Sequence, residues 1–260
     1  MVGMSDSTAA SDSPIIAFFD VDNTLMRGAS IYHLGRRAFS RGYLTFRDLL
    51  RFGWHQARFV AVGENKRHLS SIRDRALELI GGHTEEGLQD LAEEIYRRDL
   101  SHRLWPETVA LAREHLDKGH EVWLITASPE VVARVIAQKL GLTGALGTRI
   151  EAVNGVFTGK LDGPVMHGER KAVVAEQLAL SKRARLLDCW AYSDSRNDIP
   201  LLNLVGNRVV VNPDSSLASY ATARNWPVLR LNPASIRDAR RRVRRDARAV
   251  KAGGRAKKRR

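Results

Sequence analysis

Two aspartates two residues apart, in Asp20-Val21-Asp22-Asn23-Thr24, follow directly on the apolar run IIAFF. That run reads as a short buried strand, so both carboxylates project from the carboxyl end of a sheet, where open α/β folds place their ligands. Such a pair suits phosphoryl transfer: one carboxylate attacks phosphorus, while the other protonates the leaving oxygen and then activates water against the acyl phosphate. Alone, the loop reads equally as a metal-binding or turn-forming acidic segment. A second acidic set, Ser193-Asp194-Ser195-Arg196-Asn197-Asp198, follows the apolar strand DCWAYS and is expected at the same edge. Asp20, Asp22, Asp194 and Asp198 would then meet, an unfavourable gathering unless a cation neutralises it. An oxygen-only site beside a phosphate is the kind that magnesium occupies. Thr126 ends the strand EVWLIT, and Lys171 opens a helix after Gly168-Glu169-Arg170. A hydroxyl and an ammonium at the phosphate would bind its non-bridging oxygens and stabilise the charge that develops in transfer. Taken singly, the threonine also reads as a helix cap, the lysine as a solvated charge and SDSRND as a capped loop.

The elements that must position these groups alternate between strand and helix. A helix from Pro106 through Leu116 ends near Gly119, the strand EVWLIT runs into Ser128-Pro129, and another helix follows. RIEAVNGVFTG reads as a hairpin turning at Asn154-Gly155. Then come a helix from about Glu169 to Leu180, the strand DCWAYS, a short helix near Ile199 to Leu204 and the strand RVVV. This order implies a Rossmann-like, doubly wound, mostly parallel sheet covered on both faces. Residues 31–100 show apolar residues three and four apart, as in Leu69, Ile72, Ala76, Leu79 and Ile80, and read as an all-helical cap inserted between the first two sheet strands. The expected organisation is a disordered start over 1–13, a catalytic core of 14–30 and 101–234, the cap at 31–100 and a basic tail at 235–260. In the cap, Trp54, His55 and Phe59 fit helical core packing as well as a pocket lining, and Arg67, Arg73 and Arg75 fit a solvated face as well as an anion contact.

At 260 residues the chain is long enough to bury a real core. No apolar run approaches the roughly 18 to 20 residues that cross a bilayer, and the first residues lack a signal-peptide pattern, so the expected location is cytoplasmic. Cys189, the only cysteine, excludes an intramolecular disulfide and reads as part of a buried strand. The eight histidines show no metal-ligand spacing of the HxxxH or HxH kind, which speaks against zinc. The net charge of +13 is local: 13 Lys and Arg stand against Asp238 and Asp246 between Arg237 and Arg260, leaving only +2 for residues 1–236. Residues 235–250 read as an arginine-rich helix followed by the flexible GGRAKKRR. Such a tail would attract an anionic lipid surface, placing the protein peripherally at a membrane, or bind RNA nonspecifically; both would weaken with salt, and a merely solubilising tail fits as well.

DxDxT after the first strand, a hydroxyl after the second, a lysine opening a later helix and DxxxD after another strand together resemble the haloacid dehalogenase superfamily of phosphatases. The resemblance covers roughly residues 15–213, and the helical insert with VNGVFTGKLDGPVMHGERK is similar to its phosphoserine-phosphatase-like branch. It implies Asp20 as nucleophile and Asp22 as acid and base whose backbone carbonyl also ligates the metal. Thr126 and Lys171 would bind phosphate, and Asn197 would support the phosphate or its loop. Asp20, Asp194 and, in part through water, Asp198 would hold magnesium. The implied substrate is a small phosphate ester, and histidinol phosphate, glycerol phosphates and lysophosphatidic acid are among those of the branch. Three departures stand out: Ser193 where the family usually has Gly, Thr126 where many members have Ser, and Ala29 where phosphoserine phosphatases carry a glutamate for the substrate ammonium. The last removes the main anchor for phosphoserine. A phosphotransferase with the same chemistry, and a nonenzymatic scaffold working through the tail, are the two alternatives.

Overall fold

The computed structural model describes residues 13–42, 77, 80–242 and 245. Strand β1, Ile16–Phe19, lies at the centre of a six-stranded sheet, and all four of its residues are completely buried. It pairs in parallel with β2, Glu121–Pro129, on one side and with β6, Trp190–Ser193, on the other. The sheet continues outward through β3, Gly144–Thr148, beyond β2, and through β7, Asn207–Val211, and β8, Val228–Leu229, beyond β6. All its pairings are parallel, and the chain direction across the sheet reverses at β1. That reversal opens a crevice at the carboxyl ends of β1 and β6, where the two acidic loops begin.

Strand periodicity builds the layers, because successive side chains point to opposite faces. Ala17 and Phe19 pack into one core with α1, Ser30–Ser40, α2, Glu85–Ile95, α3, Pro106–Asp117, and α4, Glu130–Leu140. Ile16 and Phe18 pack into the other with α5, Glu169–Lys182, α6, Ile199–Leu204, and α7, Ser215–Ala223. The doubly wound architecture expected from the sequence is therefore the one observed. Between β1 and β2 the described elements are all helical: α1, α2, a π-helical turn, Tyr96–Leu100, and α3, with Thr84 making one isolated bridge to Val156. The cap residues Trp54, His55, Phe59, Arg67, Arg73 and Arg75 lie outside the described residues.

The Asn154-Gly155 turn joins β4, Ile150–Val153, to β5, Val156–Leu161, as an antiparallel hairpin. Both turn residues have positive φ, 52° and 76°, which an asparagine and a glycine adopt at least cost. Two strands have no counterpart in the sequence reading. In β3, GALGT, Gly144 is required because a Cβ there would come within 2.5 Å of the Trp123 ring. Small residues that let a strand approach an aromatic neighbour do not look like a strand by β-propensity. Residues 233–242 form a final helix that seats Ile236 against the body, and no helix among the described residues is long and apolar enough to cross a membrane.

Behind β1 lies a buried polar relay. Phe19, directly before Asp20, stacks on Tyr192 with ring centroids 4.1 Å apart. The Tyr192 hydroxyl lies 2.8 Å from Nε2 of the buried His115, whose Nδ1 lies 2.8 Å from Nδ1 of His120. Burial, followed by the positive fields of His120 and Lys118, lowers the His115 pKa to about 4. The folded protein keeps this imidazole neutral where the unfolded chain, near 6.5, takes up a proton. Stability linked to His115 is thus complete above about pH 6.5 and is lost as pH falls toward 4. His115 is expected to account for about 2 kcal/mol of stability lost between pH 7 and pH 5. Urea unfolding of wild type and His115→Gln at both pH values checks this: the substitution should flatten the pH dependence by that amount.

Candidate active site

The strand ends deliver the acidic residues to one crevice. The Asp20 amide donates to the carbonyl of Tyr192 at 3.0 Å, so the first residue beyond β1 is still tied to β6. Asp20 is 6% exposed, and its carboxylate meets the Lys171 ammonium at 2.6 Å. Lys171, in the first turn of α5, reaches between two carboxylates and also contacts Asp198 at 2.7 Å. The hydroxyl of Ser193 donates to the same Asp198 oxygen at 2.7 Å and accepts from the Ser195 amide at 3.2 Å. The serine standing where the family usually has glycine thus anchors Asp198 and the start of its own loop.

Burial pushes the Asp20 carboxyl up to about 7, with the charges of Asp198 and Asp194 adding to the rise against the pull of Lys171. Asp194 is held up at about 6, again chiefly by burial. Burial alone would lower the Lys171 ammonium, but Asp20 and Asp198 outweigh it and the net direction is upward. Together these shifts describe a crevice in which burial disfavours the ionised carboxylates and one lysine only partly offsets it.

Asp22 is turned away from this cluster. Its carboxylate accepts from the Ser30 amide at 2.8 Å, at the first turn of α1, and from the Ser128 hydroxyl at 3.3 Å. Ser128 and Ser30 share a hydrogen bond of 2.6 Å, both buried. The start of the inserted helices and the end of β2 are therefore joined through the second aspartate of the DxDxT loop. Sequence reasoning missed both serines. Ser128 lies two residues beyond Thr126 on the same strand, and strand alternation puts the two side chains on one face.

The four carboxylates do not form a single cluster. Asp20 and Asp198 meet on Lys171, Asp22 sits on the two serines, and Asp194 accepts from Thr24 at 3.4 Å. Among the described residues, no group of three or more His, Cys, Asp or Glu side chains is drawn together closely enough to hold a metal. The reason is local: Lys171 fills the space between two of the acids, and a helix amide claims a third. Thr126 is buried, with its hydroxyl accepting from the Ser128 amide at 3.2 Å. Asn197 is exposed, and its side-chain amide donates to Ser195 at 3.2 Å, inside its own loop.

A strand-end carboxylate against a helix-borne lysine, with a second acidic loop beside it at the sheet's switch point, is an arrangement suited to a hydrolase of phosphate esters on a doubly wound α/β sheet. The family model of haloacid dehalogenase-like hydrolases matches residues 17–203, and the chain belongs to that family. It is similar to the phosphoserine phosphatase SerB1 of Mycobacterium tuberculosis, 46% identical over 225 residues that cover 86% of this chain and 73% of that one. A histidinol-phosphatase of Neisseria meningitidis serogroup C is 27% identical over 229 residues, 82% of this chain and 97% of that one. Among solved structures, a protein of unknown function from Bordetella pertussis Tohama I superimposes with a TM-score of 0.73 at 27% identity, over 84% of this chain and 98% of that one. The phosphatase class read from the acidic loops stands with this kinship.

Lys171 is 3% exposed and neutralises two buried acids at once. Replacing it by Met would leave them uncompensated, a change expected to cost about 3 kcal/mol at pH 8. Urea unfolding followed by tryptophan fluorescence measures this, and a loss under about 1 kcal/mol would show that the pair contributes little to the fold.

Proposed function

We propose that this phosphatase is a magnesium-dependent phosphomonoester hydrolase that works through an aspartyl phosphate on Asp20. Its substrate class is a small phosphorylated metabolite or a lysophospholipid. The observation that carries the reading is the buried Asp20 carboxylate at the end of β1, held at 2.6 Å by Lys171. In the first step an Asp20 oxygen attacks phosphorus, the bond from phosphorus to the ester oxygen breaks, and Asp22 gives its proton to the departing oxygen. In the second, Asp22 takes a proton from water, the water oxygen attacks phosphorus, and the Asp20–phosphorus bond breaks to release inorganic phosphate. Lys171 and the Thr126 hydroxyl hold the non-bridging oxygens, and Asn197 supports the loop that carries Asp194 and Asp198.

The donor types suit a magnesium ion, although the described side chains are not drawn into a metal cluster and Lys171 stands between Asp20 and Asp198. Every donor is an oxygen, and burial together with Asp198 and Asp194 raises Asp20 to about 7 despite Lys171, which marks an unmet demand for positive charge. Asp20, Asp194 and the backbone carbonyl of Asp22 would hold the ion, with Asp198 acting through water. When bound it supplies charge neutralisation to the carboxylate and to the phosphate oxygens.

Asp22 serves as acid and base from a fixed position. The Ser30 amide and Ser128 hydroxyl orient its carboxylate, and both lie at the junction with the inserted segment. In this reading 14–30 and 101–234 are the catalytic core, and 31–100 is a cap that closes over small substrates and excludes water. The basic tail at 235–260 leaves a cytoplasmic enzyme free to associate with an anionic lipid surface or RNA.

Two relatives bear the names of different phosphatases, so the substrate rests on this chain's own residues. Ala29 lies directly before α1 and gives no carboxylate to a substrate ammonium. Phosphate release is to be measured from phosphoserine, histidinol phosphate, glycerol 3-phosphate and lysophosphatidic acid, with magnesium and with EDTA. Turnover of at least one ester is expected with magnesium only, and Asp20→Asn is expected to lose at least about a thousandfold in rate. Phosphoserine is expected to be a poor substrate, improved by Ala29→Glu. Turnover that survives EDTA or Asp20→Asn would overturn the reading.

A further inference from the structure

Apart from the acidic crevice, a cavity of about 320 Å³ lies between Arg27, the stretch 98–103 and the helix 233–242, and none of the acidic residues of the crevice lines it. Five arginines face it: Arg27, Arg98 and Arg103 from the body, Arg237 and Arg240 from the helix, with His102 beside them. Its one acid, Asp99, is already engaged by Arg37 at 2.7 Å, and Arg98 is paired with Glu94 at 3.2 Å. The guanidinium groups of Arg27, Arg103, Arg237 and Arg240 have no ion pair among the described residues. Four uncompensated positive charges on one cavity repel one another, and an anion that bridges them removes that repulsion.

The walls are built before any ligand arrives. Ile236 is 9% exposed and fixes the helix against the body, and the Ser235 hydroxyl donates to Glu107 at 3.2 Å. Arg237 and Arg240, one and four residues beyond Ile236, are thereby held at the rim, three residues apart on neighbouring positions of the helix. On the opposite side, the Arg27 amide donates to the Arg103 carbonyl at 2.8 Å, and the Trp105 amide donates to the Leu25 carbonyl at 3.0 Å. Met26 bridges to Leu104 between them. The wall is therefore the strand-like continuation of the DxDxT loop.

We infer that this cavity is a binding site for a phosphate-bearing polyanion, distinct from the catalytic crevice and shared between the C-terminal helix and the segment that follows Asp22. Guanidinium groups match phosphate through paired N–H donors, and four of them call for at least two negative charges. The volume suits a diphosphate or a phosphorylated headgroup. A soluble diphosphate and the headgroup of an anionic lipid present the same chemistry, and occupancy of either kind would tie the C-terminal helix to the loop that carries Asp22.

Isothermal titration of the full chain with inorganic pyrophosphate, in EDTA, tests the site against Arg237→Gln/Arg240→Gln on one wall and Arg103→Gln on the other. All three arginines are exposed, so the variants should keep the wild-type melting temperature. The expected result is affinity about tenfold weaker in the double variant and several-fold weaker in Arg103→Gln, with both differences shrinking in high salt. Sedimentation with vesicles containing phosphatidic acid forms the second arm. Binding to vesicles but not to pyrophosphate, with the same dependence on both walls, would assign the site to a lipid headgroup. Affinity for both probes unchanged in all variants, or weakened by the helix substitutions and not by Arg103→Gln, would overturn the inference. So would retention of a short RNA, rather than either phosphate probe, that is indifferent to all three arginines.

Discussion

A sheet whose strand order reverses at its centre brings two carboxyl-terminal strand ends side by side, and in this protein each end opens into an acidic loop. The resulting concentration of negative charge is the constraint to which the rest of the crevice answers. Lys171 answers it in part, standing at 2.6 Å from Asp20 and 2.7 Å from Asp198 while almost fully buried. Ser193 supplies a further donor to Asp198, and Thr24 one to Asp194. Burial, with the neighbouring carboxylates adding to it, raises Asp20 to about 7 and Asp194 to about 6, so a positive charge brought into the site would be favoured there. Catalysis by preorganised charge requires such an imbalance, because groups already satisfied by one another have little left to offer a transition state.

Rigidity behind the crevice makes that imbalance sustainable. Ile16, Ala17, Phe18 and Phe19 are wholly buried between two cores, and Phe19 stacks on Tyr192 of the neighbouring strand. The relay from Tyr192 to His115 and His120 satisfies the phenol without placing a charge in the core, since burial keeps His115 neutral. In front, by contrast, Asp22 is positioned by Ser30 and Ser128, groups at the start of α1 and the end of β2. Asp20 is thus fixed by the sheet and Asp22 by the junction with the inserted helices.

Much of this was legible in the sequence, for identifiable reasons. Buried parallel strands read as short apolar runs: IIAFF leads directly into Asp20, and EVWLIT and DCWAYS close on Thr126 and Ser193. The hairpin at Asn154-Gly155 announced itself because few other residue pairs adopt two positive φ angles. The strand β3 was hidden because Gly144 answers to the Trp123 ring rather than to β-propensity, and β8 because it has only two residues. Side-chain partnerships were harder. No pattern in the sequence marks Lys171 as the residue that would stand between Asp20 and Asp198, or Asn197 as one turned toward Ser195 within its own loop. The two serines on Asp22 come together across 98 residues, and spacing along a chain does not record such encounters. The pocket of arginines was legible only as a basic tail, since its other wall lies far back in the chain at Arg27 and 98–103.

The central claim is that phosphorus is carried on Asp20, and mass spectrometry of enzyme quenched in acid during turnover tests it most directly. The account predicts one phosphoryl group on the peptide containing Asp20, absent without magnesium and absent in Asp20→Asn. A turning-over enzyme with no phosphorylated peptide, or with the phosphoryl group on another side chain, would contradict it.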